Sequence, residues 1–531
     1  MSDHDMSDSE DGEGFNELPE ANEWVHSAND VTFINQRRNV EEFVHERPFH
    51  PAFTYALFEE ERIPGYKGLK IAINFRAHDM HPNVSVSYDE KDDMGSEEIR
   101  NMMNIDDRLL EYLPEYAMEP PQDDPKMNMD WRPPGVRLHT YRSDSETYEV
   151  WCASLSDPHA NEIMRNMRIL IPFYIEGGSA GLVDEDAAGL ERWKVFFLYN
   201  VNRTSENAKC DWTMVGFATT YRLWSFPTSA ILQQLRADNP SASIAYVEGK
   251  KNTTEEVERE IMTPIKGLDM PSRERISQFI ILPPYQHKSH GKYLYNVVMS
   301  KLRSDVNTHE ITIELPNIDF DNLRDMCDIA YLRKNFTLFR DLKLPDSLPD
   351  SAFKGRAKVP VKELTPIDDL EALRKKAKLQ PRQFNRLVEM QLLSTIPAHH
   401  QDVNRLTRKH MSANVHDRHF YYWRLLLKTR LLIFNSDSLQ AIEPEERIPK
   451  LEQTADSSHE HYKSLLETFE LKVMPYLGEL LKPDIGPFGE SETAPSSRRL
   501  KVRRRIDDSE DEDDSGSDPK ARGSSKRTRV A

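Results

Sequence analysis

Hydrophobic and polar residues alternate with a period of two from Trp24 onward. Residues 31–34, 53–58, 69–75 and 84–88 read as half-buried strands, with Pro64-Gly65-Tyr66-Lys67-Gly68 as a turn between two of them. Residues 20–118 therefore read as a small β-rich domain. Beyond the Pro-rich stretch 119–134 the periodicity becomes mixed. A strand at 148–151 precedes a helix-length run at 158–175, and strands follow at 193–201 and 212–223. The polar segment 236–269 reads as an inserted helix and loop. A strand (275–282), a helix (291–303), a strand (310–315) and a helix (320–334) complete a mixed α/β domain over 145–340. Residues 341–378, rich in Pro, Lys and Asp, read as a linker with little helix. Helical spacing at 381–393, 403–433 and 455–481 predicts an all-α region over 379–485. The ends, 1–18 and 489–531, hold too few apolar groups to offset the entropy of ordering and are expected to be disordered.

Charge sharpens this division. The 531 residues are 38% hydrophobic and 30% charged, with a net charge of −19. Residues 1–18 carry seven acids and no Lys or Arg, whereas residues 489–531 carry eleven bases against ten acids, which leaves −13 on residues 19–488. An acidic body argues against binding DNA or RNA through phosphate neutralisation and suits a basic partner. Cys152, Cys210 and Cys327 are too few and too scattered for a disulfide framework or a Cys-based zinc site, so a reducing compartment is expected. No signal peptide or membrane-length apolar run is evident, and the reading is a soluble intracellular protein.

Candidate chemistry concentrates between Ser277 and Tyr295. A strand ending at Leu282-Pro283-Pro284 enters a short polar loop, Gln286-His287-Lys288-Ser289-His290-Gly291, and then a helix whose apolar face includes Leu294, Val298 and Leu302. Such a turn aims free backbone N–H groups and a positive helix end at one point, which suits a pyrophosphate, although an ordinary strand-to-helix turn has the same outline. His287 and His290 have metal-like spacing but no further ligand set, so no metal is expected.

The loop resembles the Gln/Arg-x-x-Gly-x-Gly/Ala signature of the GNAT acetyltransferases, with Ser289 in place of the first glycine. Other segments resemble one branch, the type B histone acetyltransferases. Residues 276–291 resemble its cofactor segment, Glu310-Ile311-Thr312-Ile313-Glu314-Leu315-Pro316-Asn317 its Glu-Asp-Pro-Asn strand, and Arg382-Gln383-Phe384-Asn385-Arg386-Leu387 its C-terminal signature helix. Phe53-Thr54-Tyr55 and Gly65-Tyr66-Lys67-Gly68-Leu69 resemble its N-terminal domain. The resemblance covers roughly residues 20–395. It implies an α/β fold, a mixed-sheet GNAT core over 145–340, with a β-rich N-terminal domain and an α-helical C-terminal region.

It also implies roles. Acetyl transfer from acetyl-CoA to lysine needs a base, because a lysine with pKa of about 10.4 is almost wholly cationic at neutral pH. The resemblance assigns that base to Glu314, acting directly or through a water. Leu315 stands where the family has a second acid. Backbone of Phe279, Ile280 and Ile281 would face the pantetheine and acetyl group, Gln286, His287, Lys288, Ser289, His290, Gly291 and Lys292 would wrap the pyrophosphate, and Asn317 would bind the cofactor from the next turn. A positive φ at Ser289 would cost about 1 kcal/mol. Glu59, Glu60 and Glu61, Glu176, Trp193, Tyr221, Arg222 and Leu223 fall at positions that contact the histone tail. A solvated turn is the usual fate of such an acidic run, and core packing explains Trp193 and Tyr221 equally well.

The implied partners are histone H4, together with histone H3, and a WD-repeat histone chaperone, with no membrane and no direct DNA contact. The implied substrate is free, newly synthesised H4, and the setting is chromatin assembly. The basic clusters Arg498–Arg505 and Lys526–Arg529 beside acid-flanked Ser509, Ser515 and Ser517 suit a nuclear import signal with modifiable serines. Cytoplasm and nucleus are both expected. Two other readings remain at this point: a histone escort with a degenerate cofactor loop, and an acetyltransferase for non-histone amines.

Overall fold

A computed structural model describes residues 23–39, 41–92, 104–120, 131–181, 186–202, 212–224, 271–348, 359–405 and 412–472. All belong to the first of the chain's two units, Met1–Asp484. The expected insertion at 236–269 and the two chain ends lie outside the described residues.

Alternation builds the first sheet. β1 (Thr32–Arg37) pairs in parallel with β2 (Lys70–Arg76), which pairs antiparallel with β3 (Pro82–Ser87). Ile71, Ile73 and Phe75 are fully buried while their neighbours in β2 are not, the mark of a strand with one face on a core. Residues 53–58 are not the expected strand. The amides of Leu57 and Phe58 both donate to the Thr54 carbonyl at 2.9 Å, and burial falls on Thr54, Leu57 and Phe58, the spacing of a turn. The glycine-rich stretch 64–68 is more than a turn, since the short strands Arg62–Pro64 and Tyr66–Lys67 flank Gly65 at φ 82°.

The main sheet has six strands: β4 (Val136–Ser143), β5 (Glu146–Ser154), β6 (Trp193–Val201), β7 (Trp212–Trp224), β8 (Ser272–Ile281) and β9 (Thr308–Ile313). They lie side by side in chain order, antiparallel except for the parallel pair β8 and β9. β4 escaped the sequence reading because it is an edge strand, with Tyr141 its one buried side chain. Consecutive residues of β6, from Val195 to Tyr199, are wholly buried, so both faces of the sheet are covered. A bulge at Val215 in β7 frees the Met214 backbone for the N-terminal domain. Its N–H donates to the Ala77 carbonyl at 2.7 Å, and its carbonyl accepts from Gln36 Nε2 at 2.8 Å.

The run 158–175 is two helices, α1 (Pro158–Met167) and α2 (Leu170–Tyr174). Asp157 caps α1 by accepting from the amides of His159 and Ala160, and Pro158 fits the first turn because its missing N–H is not needed there. α3 (His290–Ser304) lays Leu294, Tyr295, Val298, Met299 and Leu302 into the core. α4 (Ile318–Asn335) starts at Asn317, whose side chain accepts from Phe320 N at 2.9 Å.

Residues 359–378 are not a linker. A short helix, Val361–Leu364, and α5 (Ile367–Ala377) bury Leu364, Leu370, Leu373 and Ala377. Ile311 N then donates to the Lys378 carbonyl at 2.7 Å, so the segment closes the outer edge of β9. α6 (Pro381–Ser394), α7 (Val415–Phe434) and α8 (Pro444–Lys472) form the C-terminal helical region. The expected helix 403–433 begins only at Val415, where Asn414 caps it through His416 N. Ion pairs, each with at least one buried partner, tie these helices together. Asp325 of α4 meets Arg386 of α6 at 2.6 Å, Glu389 of α6 meets Arg430 of α7 at 2.6 Å, and Arg424 of α7 meets Asp456 of α8 at 2.7 Å.

Candidate active site

The parallel strands β8 and β9 separate. Their pairing runs from Ser272 opposite Thr308 to Ile276 opposite Ile313, and its last rung is the Glu314 amide donating to the Ile276 carbonyl at 2.9 Å. Beyond it Leu315 takes a left-handed φ of 34°, Pro316 has no N–H to donate, and Asn317 starts α4. β8 continues to Ile281, paired only with β7 among the described strands. A wedge therefore opens beside residues 277–281, with Glu314 at its apex.

Backbone direction within the wedge follows from two bonds. Leu282 N donates to Val215 O at 2.9 Å and Gln278 N to Thr219 Oγ1 at 3.2 Å, both toward β7. By strand alternation the main-chain groups of Phe279 and Ile281 face the wedge, whereas those of Ile280 face β7. The expectation for Ile280 is corrected accordingly. Gln286 Nε2 already donates to the Ile281 carbonyl at 2.8 Å.

The loop closes the wide end. His287 (φ 61°) and Ser289 (φ 70°) are both left-handed, and the Ser289 hydroxyl makes no capping bond to α3. Gly291 adjoins the wedge: a Cβ there would lie 3.4 Å from Leu323 and 3.8 Å from Phe279 and Ile281. Lys288 Nζ donates to the Pro284 carbonyl at 2.9 Å. Lys292 is half-buried, and that burial lowers its ammonium pKa. His290 points elsewhere. Its ring is 1% exposed and shares a 2.8 Å hydrogen bond with the Tyr141 hydroxyl, so only its main chain can serve a ligand. Burial, aided by Lys288, pulls its pKa down to about 4.

Cross-strand register places Trp193, Tyr221, Arg275 and Thr312 in one row across β6, β7, β8 and β9. Glu314, two residues after Thr312, shares that face. The Trp193 and Tyr221 rings pack at a tilt of 47° with centroids 4.7 Å apart, and the Arg192 guanidinium lies 4.4 Å above Tyr221. Leu223 is on the Tyr221 face two residues further from the wedge. Arg222 points the other way, is 4% exposed and pairs with Glu274 at 2.7 Å and with Asp305, so it is held in a buried ion network and not presented to a peptide. Its alternation opposite Tyr221 is the physical reason.

Glu59, Glu60 and Glu61 form an exposed single turn in which Glu60 and Glu61 are left-handed, at φ 54° and 57°. Glu61 accepts from Thr54 N at 2.8 Å, whereas Glu59 and Glu60 border a shallow depression with Val25, Arg62 and Pro64. Glu176 is exposed in the turn after α2 and not within a helix. That turn is held from two sides, by Gly177 N donating to the Tyr55 hydroxyl at 2.6 Å and by Gln278 Nε2 donating to the Ser179 carbonyl at 2.9 Å. The N-terminal domain, Glu176 and β8 thus meet near the wedge.

Two groups escaped the sequence reading. Ser277 donates a hydrogen bond to Glu314 Oε2, and Arg275 Nη1 lies 3.7 Å from Glu314 Oε1. Their signal is faint, because Arg275 and Ser277 stand among the polar residues Arg273, Glu274 and Gln278 of the same strand and nothing in the sequence sets them apart. Among the described residues no group of His, Cys, Asp or Glu can hold a metal, and no helix is long and apolar enough to cross a membrane.

Comparison with known proteins fits this geometry. A family described as "Histone acetyl transferase HAT1 N-terminus" matches residues 24–176, and one described as "Fungal HAT1, C-terminal" matches residues 354–396. The histone acetyltransferase type B catalytic subunit of Aspergillus fumigatus is 32% identical over 509 residues, spanning 92% of this chain and 86% of the relative. Those of Aspergillus oryzae and Emericella nidulans are also 32% identical, each across 84% of this chain and across 86% and 90% of the relative. With 32% identity maintained over 92% of its length, the chain belongs to the histone acetyltransferase type B catalytic subunits, a family of acetyltransferase enzymes.

Proposed function

We propose that this protein transfers acetyl from acetyl-CoA to lysines in the N-terminal tail of free histone H4, on a GNAT-type core and in support of chromatin assembly. The observation that carries this reading is the wedge, because one opening joins unpaired strand backbone, a helix amino end and a carboxylate. Acetyl-CoA is the co-substrate, and the residues suit it. Its pantetheine arm, a chain of amides, matches the outward N–H and C=O groups of Phe279 and the outward N–H of Ile281, whose carbonyl Gln286 already engages. Its pyrophosphate suits the first-turn amides of α3 beside Gly291, which the Ser289 hydroxyl leaves uncapped.

Glu314 Oε1 takes the proton from the substrate ammonium, directly or through a water. The freed amine then attacks the thioester carbon, a wedge-facing amide steadies the developing oxyanion, and the C–S bond breaks as the nitrogen gives up its second proton, so that CoA leaves as the free thiol. Glu59, Glu60 and Glu176 supply negative charge for a basic tail, and the Trp193–Tyr221 pair lies on the face of Glu314. The reading extends to an H3–H4 complex as the substrate form, to a WD-repeat chaperone as partner, and to work in both cytoplasm and nucleus.

Transfer of radiolabelled acetyl to an H4 tail peptide tests it. Glu314→Gln is expected to lower kcat by about 10²-fold or more while acetyl-CoA binding persists. An inactive wild type sinks the enzyme assignment for this peptide, and an unimpaired variant removes Glu314 as the base.

A further inference from the structure

We propose that Ser277 is a positioning residue that anchors Glu314 Oε2 and leaves Oε1 as the atom that receives the proton; this rests on Glu314 being the base. The geometry is built by a bulge. Opposite Thr220 and Thr219 on β7 stand Ile276 and Gln278, so Ser277 is an extra residue with no partner in the β7 register. The bulge sits where β9 departs, and it turns the Ser277 hydroxyl toward the neighbouring strand, where it donates to Glu314 Oε2.

The two carboxylate oxygens are then unequal. Oε2 is occupied by a hydrogen bond. Oε1 has Arg275 Nη1 at 3.7 Å, near enough for charge attraction but beyond hydrogen-bond range, so among the described residues no hydrogen bond occupies it. The anchor is needed because Glu314 is the last residue hydrogen-bonded to β8, its side chain is 43% exposed, and the chain leaves through the left-handed Leu315. An exposed glutamate there samples several rotamers. A base must sit within hydrogen-bond reach of the proton it accepts, so each rotamer that withdraws Oε1 is unproductive.

Steady-state kinetics on Ser277→Ala, Ser277→Thr, Glu314→Gln and the Ser277→Ala/Glu314→Gln double variant test this, with acetyl-CoA and an H4 tail peptide. Ser277→Ala is expected to lower kcat about tenfold, the effect of losing a hydrogen bond to a charged group, with both KM values within about twofold of wild type. Ser277→Thr keeps the hydroxyl and is expected to recover most of kcat. In the Glu314→Gln background Ser277→Ala is expected to change kcat less than about twofold, since the group it positions is gone. A kcat for Ser277→Ala within about twofold of wild type overturns the proposal. An equal tenfold loss in the Glu314→Gln background also overturns it, because Ser277 would then act elsewhere. If Glu314→Gln is impaired and Ser277→Ala is not, the positioning role fails alone and the base survives. If Glu314→Gln is unimpaired, both fall.

Discussion

Replacing Arg386 with methionine strands a carboxylate in the protein interior. Asp325 of α4 is 0% exposed, and its Oδ2 meets Arg386 Nε at 2.6 Å while its Oδ1 accepts from Gln383 Nε2 at 2.9 Å. Burial pushes the Asp325 pKa up, and Arg386 is the chief group opposing that rise. Breaking a buried pair by removing one partner costs about 3–5 kcal/mol. Gln383 remains and the carboxyl can take up a proton, which places the loss near the lower limit. The guanidinium also lies 5.1 Å over the Tyr462 ring, a contact worth about 0.5–1 kcal/mol. A destabilisation of about 3–4 kcal/mol at pH 8 follows.

The pH dependence has a definite sign. In Arg386→Met the folded-state pKa of Asp325 climbs further above that of an unfolded aspartate, about 3.9. Between those two values the folded state binds a proton that the unfolded state lacks, so the variant loses stability as pH rises through the window. The deficit against wild type should be small near pH 5 and grow toward pH 8. Urea unfolding followed by circular dichroism at both pH values measures it, and Asp325→Asn/Arg386→Met, which removes the charge, should recover most of the loss. A deficit under about 1 kcal/mol at pH 8, or one that does not change with pH, would refute the reasoning. The outcome bears on catalysis because α4 follows directly from the end of β9 that carries Glu314.

Two further results are expected. His290, held by burial and Lys288 at a pKa of about 4, must be protonated on unfolding between that value and about 6.5, so the native state loses stability on acidification through this window; thermal scans should show a shallower slope there for His290→Gln. Ser289 sits at φ 70° with no capping bond, so Ser289→Gly should keep the acetyl-CoA dissociation constant within about twofold by calorimetry, whereas Ser289→Val, β-branched in a left-handed position, should weaken it about fivefold or more.

Much of the framework was legible because local signals dominate it. β6 occupies the expected 193–201, and β8, α3, β9, α4 and α6 differ from expectation by a few residues at their ends. The misses share a cause, which is burial supplied by distant partners. Thr54, Leu57 and Phe58 mimic a strand locally but turn inward. Leu364, Leu370, Leu373 and Ala377 form an apolar stripe hidden among Lys, Asp and Pro, and only its burial in the fold, with Lys378 bonded to the outer edge of β9, reveals its purpose. β4 carries too few buried residues to announce itself.

The same division runs through the site. The 286–291 loop was legible as a turn that frees amides at a helix start, whereas Glu314 and Asn317 were singled out only by the resemblance to the type B histone acetyltransferases. Which side of a strand each group faces is set by pairing, and a bulge resets it. Tertiary structure therefore decided that Phe279 and Ile281 open to the wedge while Ile280 does not, that His290 turns inward to Tyr141, and that Arg222 belongs to Glu274 and Asp305. The sequence by itself determined the elements and the chemical types available, through periodicity and turn chemistry. Only the fold decided which of those groups meet, because a one-residue shift in register moves a side chain to the opposite face and no local pattern records it.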